Sequence, residues 1–498
     1  MVDRFARKLL ALLASRTFLY VILGFFVFEA LWFVFSAIYP MPFDEEFHLG
    51  VIQIYAHQWS PFLESQPPNA DQYGAIFRDP SYFYHYLMSF PYRFLNVFTS
   101  NETTLVIWLR LINVAIFVYG LTLFRKVLVL AKASPALINT TLAVFVLVPI
   151  VPQLAAHINY DNSFMVLIPA LCLVSHRLIG SFRQKRIDAK ALLLFLLVSM
   201  VMCIVKYAAL PFLAASVGFL LVYLLICFKG KYKKLLPIAK NDFLRIGKRT
   251  RIILIGAVVI AAGLFSQRYV VNMVEYGRPV PDCANVLTVK QCSAYGPWIR
   301  DHGYHAAVPK DFKPSVLKFI GNWFKGMWHR LFFAINGKKA FYMNYRELPV
   351  PSVTAIVLAS GGLIAAAVYL RRILRNNLFL GFLLTISVFY IIVLFLDGWA
   401  AYVYAGKPVA INGRYLLPVL PFLAVAMGHA LRILFQKLPS IKPYLAALTI
   451  LLFLHGGGVF TFILRSDHSW YWPNQAVYNV NDAARKVLAP VTWENRNY

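Results

Sequence analysis

The chain has 498 residues, of which 60% are hydrophobic and only 14% are charged, and its 49 lysines and arginines against 21 acidic residues give a formal charge of +28. Because the apolar residues come in blocks of about twenty, the composition excludes an ordinary soluble domain and indicates a polytopic membrane protein. The basic excess falls mainly in short segments between these blocks, where it sets membrane orientation, so a nucleic-acid partner is not expected.

Hydropathy windows of about nineteen residues predict eleven transmembrane helices. We place them near residues 17–40, 104–125, 137–153, 162–179, 190–205, 208–228, 252–274, 351–370, 377–396, 415–435 and 444–464. The first block is too long for a signal peptide and ends without a small-residue cleavage site, so we expect a retained helix. The fold class predicted is therefore an all-α polytopic membrane protein.

Basic runs decide the predicted orientation. They are Arg4 to Arg16, Arg125 to Lys132, Arg183 to Lys190, Lys229 to Arg251, Arg371 to Arg375 and Arg432 to Lys442. Eleven spans put all of them on one side, which the positive-inside rule makes cytoplasmic. We expect an integral protein of the plasma (inner) membrane, with the N-terminus inside and the C-terminus outside.

Two long loops, 41–103 and 275–350, then lie on the extracytoplasmic side, and long loops on one face usually carry function. Each contains an aromatic stretch broken by Pro or Gly, which fits a helix lying in the headgroup region. A twelfth span at 80–98 is the competing interpretation, but it would put the later basic runs outside. Cys283 and Cys292 could pair if their loop faces an oxidising compartment.

The segment FDEEFH at 43–48 directly follows the first span. Clustered carboxylates at a membrane helix end raise one another's pKa and need compensation. On a helical turn Asp44 and His48 would share a face, so they could orient each other or, with Asp161, bind a divalent cation. The segment lacks the paired histidines of the HExxH signature, so a structural zinc site is not expected.

An Asp-Glu pair with a nearby His beyond the first span, in a long outer loop, resembles the GT-C class of integral-membrane glycosyltransferases. Four further elements resemble that class. They are the aromatic segment Arg78-Asp79-Pro80 with Tyr82, Tyr84 and His85, the second helix at 109–126, the second-loop acidic position in Asn159-Tyr160-Asp161, and the GRYxxP element at 413–418. The similarity covers about residues 17–435, and the layout is related to that of the protein mannosyltransferase and aminoarabinose transferase group.

The resemblance implies a GT-C-like transmembrane catalytic module over 1–435, with 436–498 adding the last span and a short outer tail. It also implies a polyprenyl-phosphate sugar donor held at the outer membrane face. The sequence departs from the class in its extra Glu46 and in the lack of a large C-terminal soluble domain, which favours transfer of a single sugar over oligosaccharide transfer.

Glycosyl transfer needs a base for the acceptor hydroxyl and positive charge at the departing phosphate. We predict Asp44 as the base, with Glu45 second. Arg414 is the leading phosphate ligand, because it stands at the mouth of a span and a guanidinium suits phosphate oxygens. Other predicted donor-binding residues are Tyr415, Arg78, Tyr82, Tyr84, His85, Lys206 and Tyr207.

Several of these residues have simpler explanations. Arg414 could anchor its helix at the interface, and Lys206 could extend from a helix end to the headgroups. Arg78 could pair with Asp79 or with the acidic cluster. Asp161 could cap the apolar helix that follows it.

Three functions compete at this stage. The first is an inverting glycosyltransferase that moves a sugar from a polyprenyl-phosphate donor to an outer glycan, lipid or protein acceptor. The second is a lipid-linked sugar transporter or flippase, which would carry charges along several spans; the spans are expected to be nearly charge-free. The third is a metal-dependent lipid-phosphate hydrolase using Asp44, His48 and Asp161. A divalent cation, magnesium or manganese, stays open for the transferase too.

Overall fold

The structure, a computed structural model, describes residues 2–42, 44–332, 350–409, 411–456 and 458–490. Helices make up 76% of it, and the described residues contain no β-strand. The predicted all-α class is therefore confirmed.

The helices follow one another along the chain in four groups. The first is α1 (Val2–Ala14), α2 (Arg16–Ser36), α3 (Glu45–Ala56), α4 (Phe83–Asn96) and α5 (Glu102–Leu130). The second is α6 (Pro135–Val146), α7 (Ile150–Ala155), α8 (Asp161–Arg183), α9 (Ala189–Val205), α10 (Leu210–Cys227), α11 (Leu235–Leu244) and α12 (Lys248–Tyr276). The third is α13 (Cys283–Val286), α14 (Val289–Cys292), α15 (Gly296–Ala306) and α16 (Val316–Leu331). The last is α17 (Val350–Val368), α18 (Leu370–Leu374), α19 (Leu378–Ala405), α20 (Leu420–Leu434), α21 (Ile441–Gly456), α22 (Gly458–Arg465) and α23 (Gln475–Leu488).

Seven helical segments among the described residues are long and apolar enough to cross a membrane. They are α2, α5, α8, the run Tyr207–Cys227 that includes α10, α12, α19 and the run Ile441–Arg465 formed by α21 and α22. Four shorter apolar helices, α6, α9, α20 and most of α17, stand at the other predicted spans. The chain thus has the helices of a membrane-embedded protein, while the total of eleven crossings and their orientation stay predictions.

Side-chain caps set where several of these helices begin. Ser15 accepts a hydrogen bond from the Phe18 amide at the start of α2, and Asn101 does the same for Thr104 at the start of α5. Asp188 caps α9. Each cap satisfies one amide that the first helical turn leaves without a carbonyl partner.

Helices α5 and α8 pack closely and form the centre of the fold. At their crossing a Cβ on Gly120 would lie 2.4 Å from the carbonyl oxygen of Met165, so only glycine permits this approach. Two turns away along α5, Asn113 accepts a hydrogen bond from Asn162 of α8 at 3.0 Å. The close contact fixes the N-terminal end of α8 beside α5, and the candidate site is built there.

Hydrogen bonds join the helix ends that carry basic runs. Asn139 donates to the carbonyl of Ser15 at 3.0 Å, and Asn377 donates to the carbonyl of Ala131 at 2.7 Å. The first contact joins the end of the basic run 4–16 to α6, and the second joins the run 125–132 to the helix start that follows the run 371–375.

The C-terminal segment folds back onto the end of α2. Ala37 pairs with Tyr471 in an isolated antiparallel bridge, and the Ile38 amide donates to the Trp470 carbonyl at 2.8 Å. Asn481 of α23 donates to Ser36 at 3.1 Å. The described residues between 436 and 490 therefore pack on the same body as the predicted 1–435 module, next to the acidic segment.

The two aromatic stretches form helices that are not among the candidate spans. α4 has 14 residues and contains Pro91, and α16 has 16 residues with an apolar face turned inward. Fourteen residues extend only about 21 Å, less than a bilayer core. Between these helices in the chain, Cys283 and Cys292 form a disulfide with an S–S distance of 2.06 Å.

Candidate active site

Asp44 and Arg414, which are 370 residues apart in sequence, form an ion pair. Nη2 of Arg414 lies 2.7 Å from Oδ2 of Asp44. The Arg414 side chain is only 5% exposed, whereas that of Asp44 is 53% exposed. Asp44 adopts φ +73° immediately before α3, a left-handed conformation that Asp tolerates better than most residues. One edge of the carboxylate thus contacts the guanidinium, and the other is exposed at the protein surface.

Close packing of a short turn against α16 fixes the position of Arg414. It lies in a 3-10 turn, Gly413–Leu416, where the Asn412 side chain accepts from the Arg414 amide at 3.1 Å. A Cβ on Gly413 would lie 2.3 Å from the Met327 carbonyl oxygen of α16. The glycine of the GRYxxP element therefore permits the close contact between this turn and α16.

A second acidic side chain shares Arg414. Oδ2 of Asp161, the first residue of α8, lies 3.7 Å from Nε of Arg414, and Oδ1 of Asp161 contacts Nζ of Lys206. Asp161 makes no capping hydrogen bond at the start of α8, and Lys206 is buried. Neither simpler explanation therefore holds, namely capping by Asp161 or extension of Lys206 to the headgroups. The order Asp44, Arg414, Asp161, Lys206 alternates charge through the site.

Aromatic rings cover this charged row. Nζ of Lys206 lies 4.5 Å from the ring centre of Tyr160 and 4.9 Å from that of Tyr415, within cation–π range. Asp161, Lys206, Arg414 and Tyr415 line a cavity of about 10 Å³, enough for one water. The site is closed on this side, and the half-exposed Asp44 marks its open side.

Glu45 lies in a different environment from its neighbour. Arg110 of α5 donates to both of its oxygens, at 2.9 and 2.7 Å, and the two side chains are completely buried. The amides of Met41 and Ile158 donate to the same carboxylate at 2.7 and 3.2 Å. Arg110 also bonds the carbonyl of Ala37, so the pair ties α3, α5 and the end of α2 together.

His48 of the acidic segment contacts a second histidine, His85 of α4. Nδ1 of His48 lies 2.8 Å from Nε2 of His85, whose Nδ1 lies 3.1 Å from the Ser81 carbonyl. Because a carbonyl only accepts, the network assigns the His85 proton to Nδ1, and His48 then donates from its own Nδ1. Nε2 of His48 is left as a buried acceptor with no hydrogen-bond partner among the described residues.

The remaining predicted residues are placed around this centre. Arg78 pairs with Glu275 of α12 at 2.6 Å, and not with the acidic cluster. Tyr84 is buried and donates to Asn113 at 2.9 Å, and Tyr82 is buried beneath the guanidinium of Arg268, 4.8 Å from its ring centre. The Tyr207 amide donates to Ser81 at 3.1 Å, and its side chain is 47% exposed.

The predicted cation site does not form. No group of three or more His, Cys, Asp and Glu side chains able to hold a metal comes together in the described part of the chain. His48 contacts His85, and the cation between Asp44 and Asp161 is the guanidinium of Arg414 itself. These residues therefore do not fit a divalent ion.

The charges of the two adjacent carboxylates follow from their partners. Burial alone would raise the pKa of Asp44, but Arg414, aided by His157 and Lys206, outweighs it and the pKa lies below the ordinary 3.8. Burial alone would also raise the pKa of Glu45, but Arg110 and His157 outweigh it, and the pKa lies below its ordinary value. Both are carboxylates at neutral pH.

The pKa values of the two histidines are also lowered, and for a histidine this favours the neutral form. Burial lowers the pKa of His85 to about 3, and burial followed by the neighbouring His85 holds that of His48 well below 6.5. The pair is therefore neutral at physiological pH.

Sequence reasoning missed Arg110 and the charges inside the spans. Glu29 in α2, Arg110 in α5 and Arg268 in α12 are completely buried in candidate spans, so the expectation of nearly charge-free spans is wrong. The signal was a single ionisable residue within an apolar block, which marks a partner or a site by default.

No family model, curated protein or solved structure matches the chain.

Proposed function

We propose that the chain is an inverting glycosyltransferase of GT-C type that takes a sugar from a polyprenyl-phosphate donor and places it on a glycan, lipid or protein acceptor. It would act at the extracytoplasmic face of the plasma (inner) membrane. The observation that carries the proposal is the 2.7 Å contact of Asp44 with Arg414, which puts a proton acceptor beside a phosphate ligand.

In the proposed reaction the acceptor hydroxyl oxygen attacks the anomeric carbon of the sugar while the bond from that carbon to the phosphate oxygen breaks. The hydroxyl proton passes to Asp44, and the electron pair of the broken bond leaves with the phosphate. Arg414 stabilises the charge that grows on the departing group. A single displacement of this kind inverts the anomeric centre.

Exposure favours Asp44 over Glu45 as the base. Both oxygens of Glu45 are hydrogen-bonded to Arg110 inside the protein, so no acceptor reaches them without breaking a buried ion pair. Asp44 keeps about half of its side chain open. Glu45 then serves to position the start of α3, and with it Asp44.

The resting ion pair suggests how the donor engages. Arg414 is shared by Asp44 and Asp161, and a phosphate would replace the Asp44 carboxylate as its ligand. The displaced Asp44 would then be free to accept a proton. Lys206, held by Asp161 one step further in, keeps that carboxylate from drawing Arg414 away from the phosphate.

One observation favours the transporter alternative. Arg268 is completely buried in α12, and its Nε and Nη2 have no hydrogen-bond partner among the described residues. A buried cation in a span is expected along a path for an anionic substrate. A transporter would move the intact lipid-linked sugar, so product analysis separates the two functions.

The test is to incubate the purified protein with a panel of polyprenyl-phosphate sugars and candidate acceptors, with and without EDTA. The proposal predicts that one donor is consumed, that free polyprenyl phosphate appears with an inverted glycoside, and that Asp44→Asn abolishes both. Movement of the intact donor across the membrane of vesicles that contain the protein, without cleavage of the donor, would instead establish a transporter. Release of free sugar that EDTA stops would establish a metal-dependent hydrolase.

A further inference from the structure

A second charged cavity lies at the opposite end of α8 from the candidate active site. It is lined by the C-terminal turns of α8, the start of α9, the end of α11 and the start of α12, and it measures about 740 Å³. Because α8 runs 23 residues from Asp161 to Arg183, the two sites lie roughly 30 Å apart. None of the residues assigned to sugar transfer lines this cavity.

Cations dominate the lining of the cavity. Four basic side chains, Arg177, Arg186, Lys190 and Arg245, face two carboxylates, Asp188 and Asp242. The formal balance is +2, which favours an anion inside the cavity.

Both carboxylates already have partners. Asp242 accepts from Arg186 at 3.0 Å, from Arg245 at 3.4 Å and from the Ile187 amide at 3.2 Å. Asp188 caps α9 through the Ala191 amide at 2.9 Å.

The remaining cations have no such partner. Arg177 and Lys190 form no ion pair with any residue in the described ranges. The acidic side chains thus fix the geometry of two arginines, and two further cations are left to face a ligand.

Backbone N–H groups at the start of α12 add hydrogen-bond donors that also favour an anion. α12 begins at Lys248, and its cap residue Gly247 provides no side-chain hydrogen bond to the first turn. Gly247 and Thr250 line the cavity, so amides of that turn lie next to it. An anion there would complete a helix start that no side chain caps.

Exposed apolar side chains continue from the cavity along two candidate or predicted spans. Ile252 and Ile253 of α12 are 60% and 59% exposed, and Leu192 and Leu196 of α9 are also exposed. A phosphate in the cavity would therefore have hydrocarbon-compatible surface directly beside it.

We propose that this cavity binds the phosphate group of an anionic phospholipid, whose acyl chains lie along α9 and α12. The surrounding basic runs Arg183 to Lys190 and Lys229 to Arg251 are those predicted to face the cytoplasm. That leaflet carries the anionic lipids that basic pockets between spans recognise.

The test is native mass spectrometry of the detergent-purified full chain titrated with phosphatidylglycerol or phosphatidylcholine. The double variant Arg177→Gln/Lys190→Gln removes the two cations without ion pairs. Lys233→Gln/Lys234→Gln makes the same charge change outside the cavity and serves as control. All four residues are exposed, so thermal unfolding should be unchanged and reports that folding is intact.

The wild-type chain should retain phosphatidylglycerol in preference to phosphatidylcholine, and the cavity variant should lose about tenfold or more in that affinity. The control should lose less than about twofold. Equal losses in both variants, or equal retention of both lipids, overturn the proposal. Displacement of the lipid by millimolar inorganic phosphate also overturns it, since the site would then recognise the free ion.

Discussion

Arg110 donates hydrogen bonds of 2.9 and 2.7 Å to Glu45, and neither side chain is exposed to solvent. The next residue toward the N-terminus, Asp44, points to Arg414 and stays half exposed. Two adjacent carboxylates thus have separate environments, one buried in an ion pair with Arg110 and the other half exposed beside Arg414. The roles proposed for Asp44 and Glu45 depend on this difference in exposure.

Arg110→Gln should destabilise the protein by about 3–5 kcal/mol, because it leaves the Glu45 carboxylate buried without its partner. Thermal unfolding in detergent measures the effect. Arg278→Gln, which breaks an exposed pair with Asp282, should cost less than about 1 kcal/mol and is the control. The double variant Arg110→Gln/Glu45→Gln should recover part of the loss, and a further loss in that variant would contradict the assignment.

Gly413→Ala should weaken donor binding and lower the unfolding temperature. Its Cβ would meet the Met327 carbonyl oxygen at 2.3 Å, so the turn carrying Arg414 must move away from α16. Gly256→Ala in α12 places its Cβ with no heavy atom within 4 Å and should leave both properties unchanged. Equal behaviour of the two variants would show that the turn tolerates the shift.

Stability should fall as the pH decreases from about 7 toward 3. The unfolded His85 binds a proton near pH 6.5 and the folded one only near pH 3, so the unfolded state binds more protons throughout this window. For this residue the loss at pH 5 is about 2 kcal/mol. Unfolding temperatures measured at pH 7.5 and 5 should therefore differ less in His85→Gln than in the wild type. His57→Gln, an exposed histidine, should keep the wild-type difference, and an unchanged difference in His85→Gln would refute the buried neutral pair.

Lys206→Gln should lower the transfer rate about 10- to 100-fold by misplacing Arg414. Without Lys206, Asp161 has Arg414 as its remaining basic neighbour in the site and attracts it away from Asp44. Adding Asp161→Asn removes that attraction, so the double variant should be more active than Lys206→Gln alone. A double variant as slow as the single one, in steady-state transfer assays, would assign Lys206 directly to the phosphate.

The hydropathy pattern predicted the helices well, because apolar blocks in a membrane must satisfy their backbone hydrogen bonds internally, although the block 137–153 is divided between α6 and α7. A helix stands at each of the eleven predicted spans. The joint appearance of Asp44, Asp161, Lys206 and Arg414 was expected from their chemistry and from the resemblance to GT-C enzymes, and the structure brings these four together.

Pairings inside the site could not be predicted from local pattern. His48 lies four residues after Asp44, which suggested a shared role, but its partner His85 comes from α4. Arg110 was hidden in an apolar block, since a window average hides one charge among many apolar residues. Which carboxylate it would neutralise depends on how α5 packs beside α3, and no spacing along the chain encodes that.

Donor binding compared with turnover in two variants tests the roles of Asp44 and Arg414 most directly. Asp44→Asn should bind the polyprenyl-phosphate sugar at least as tightly as the wild type, since Arg414 loses its competing carboxylate, while transfer falls by a factor of about 10² to 10⁴. Arg414→Gln should bind the donor weakly, and Glu46→Gln, a change at an exposed neighbour, should leave both properties intact. Wild-type turnover in Asp44→Asn, or undiminished donor affinity in Arg414→Gln, would contradict the account.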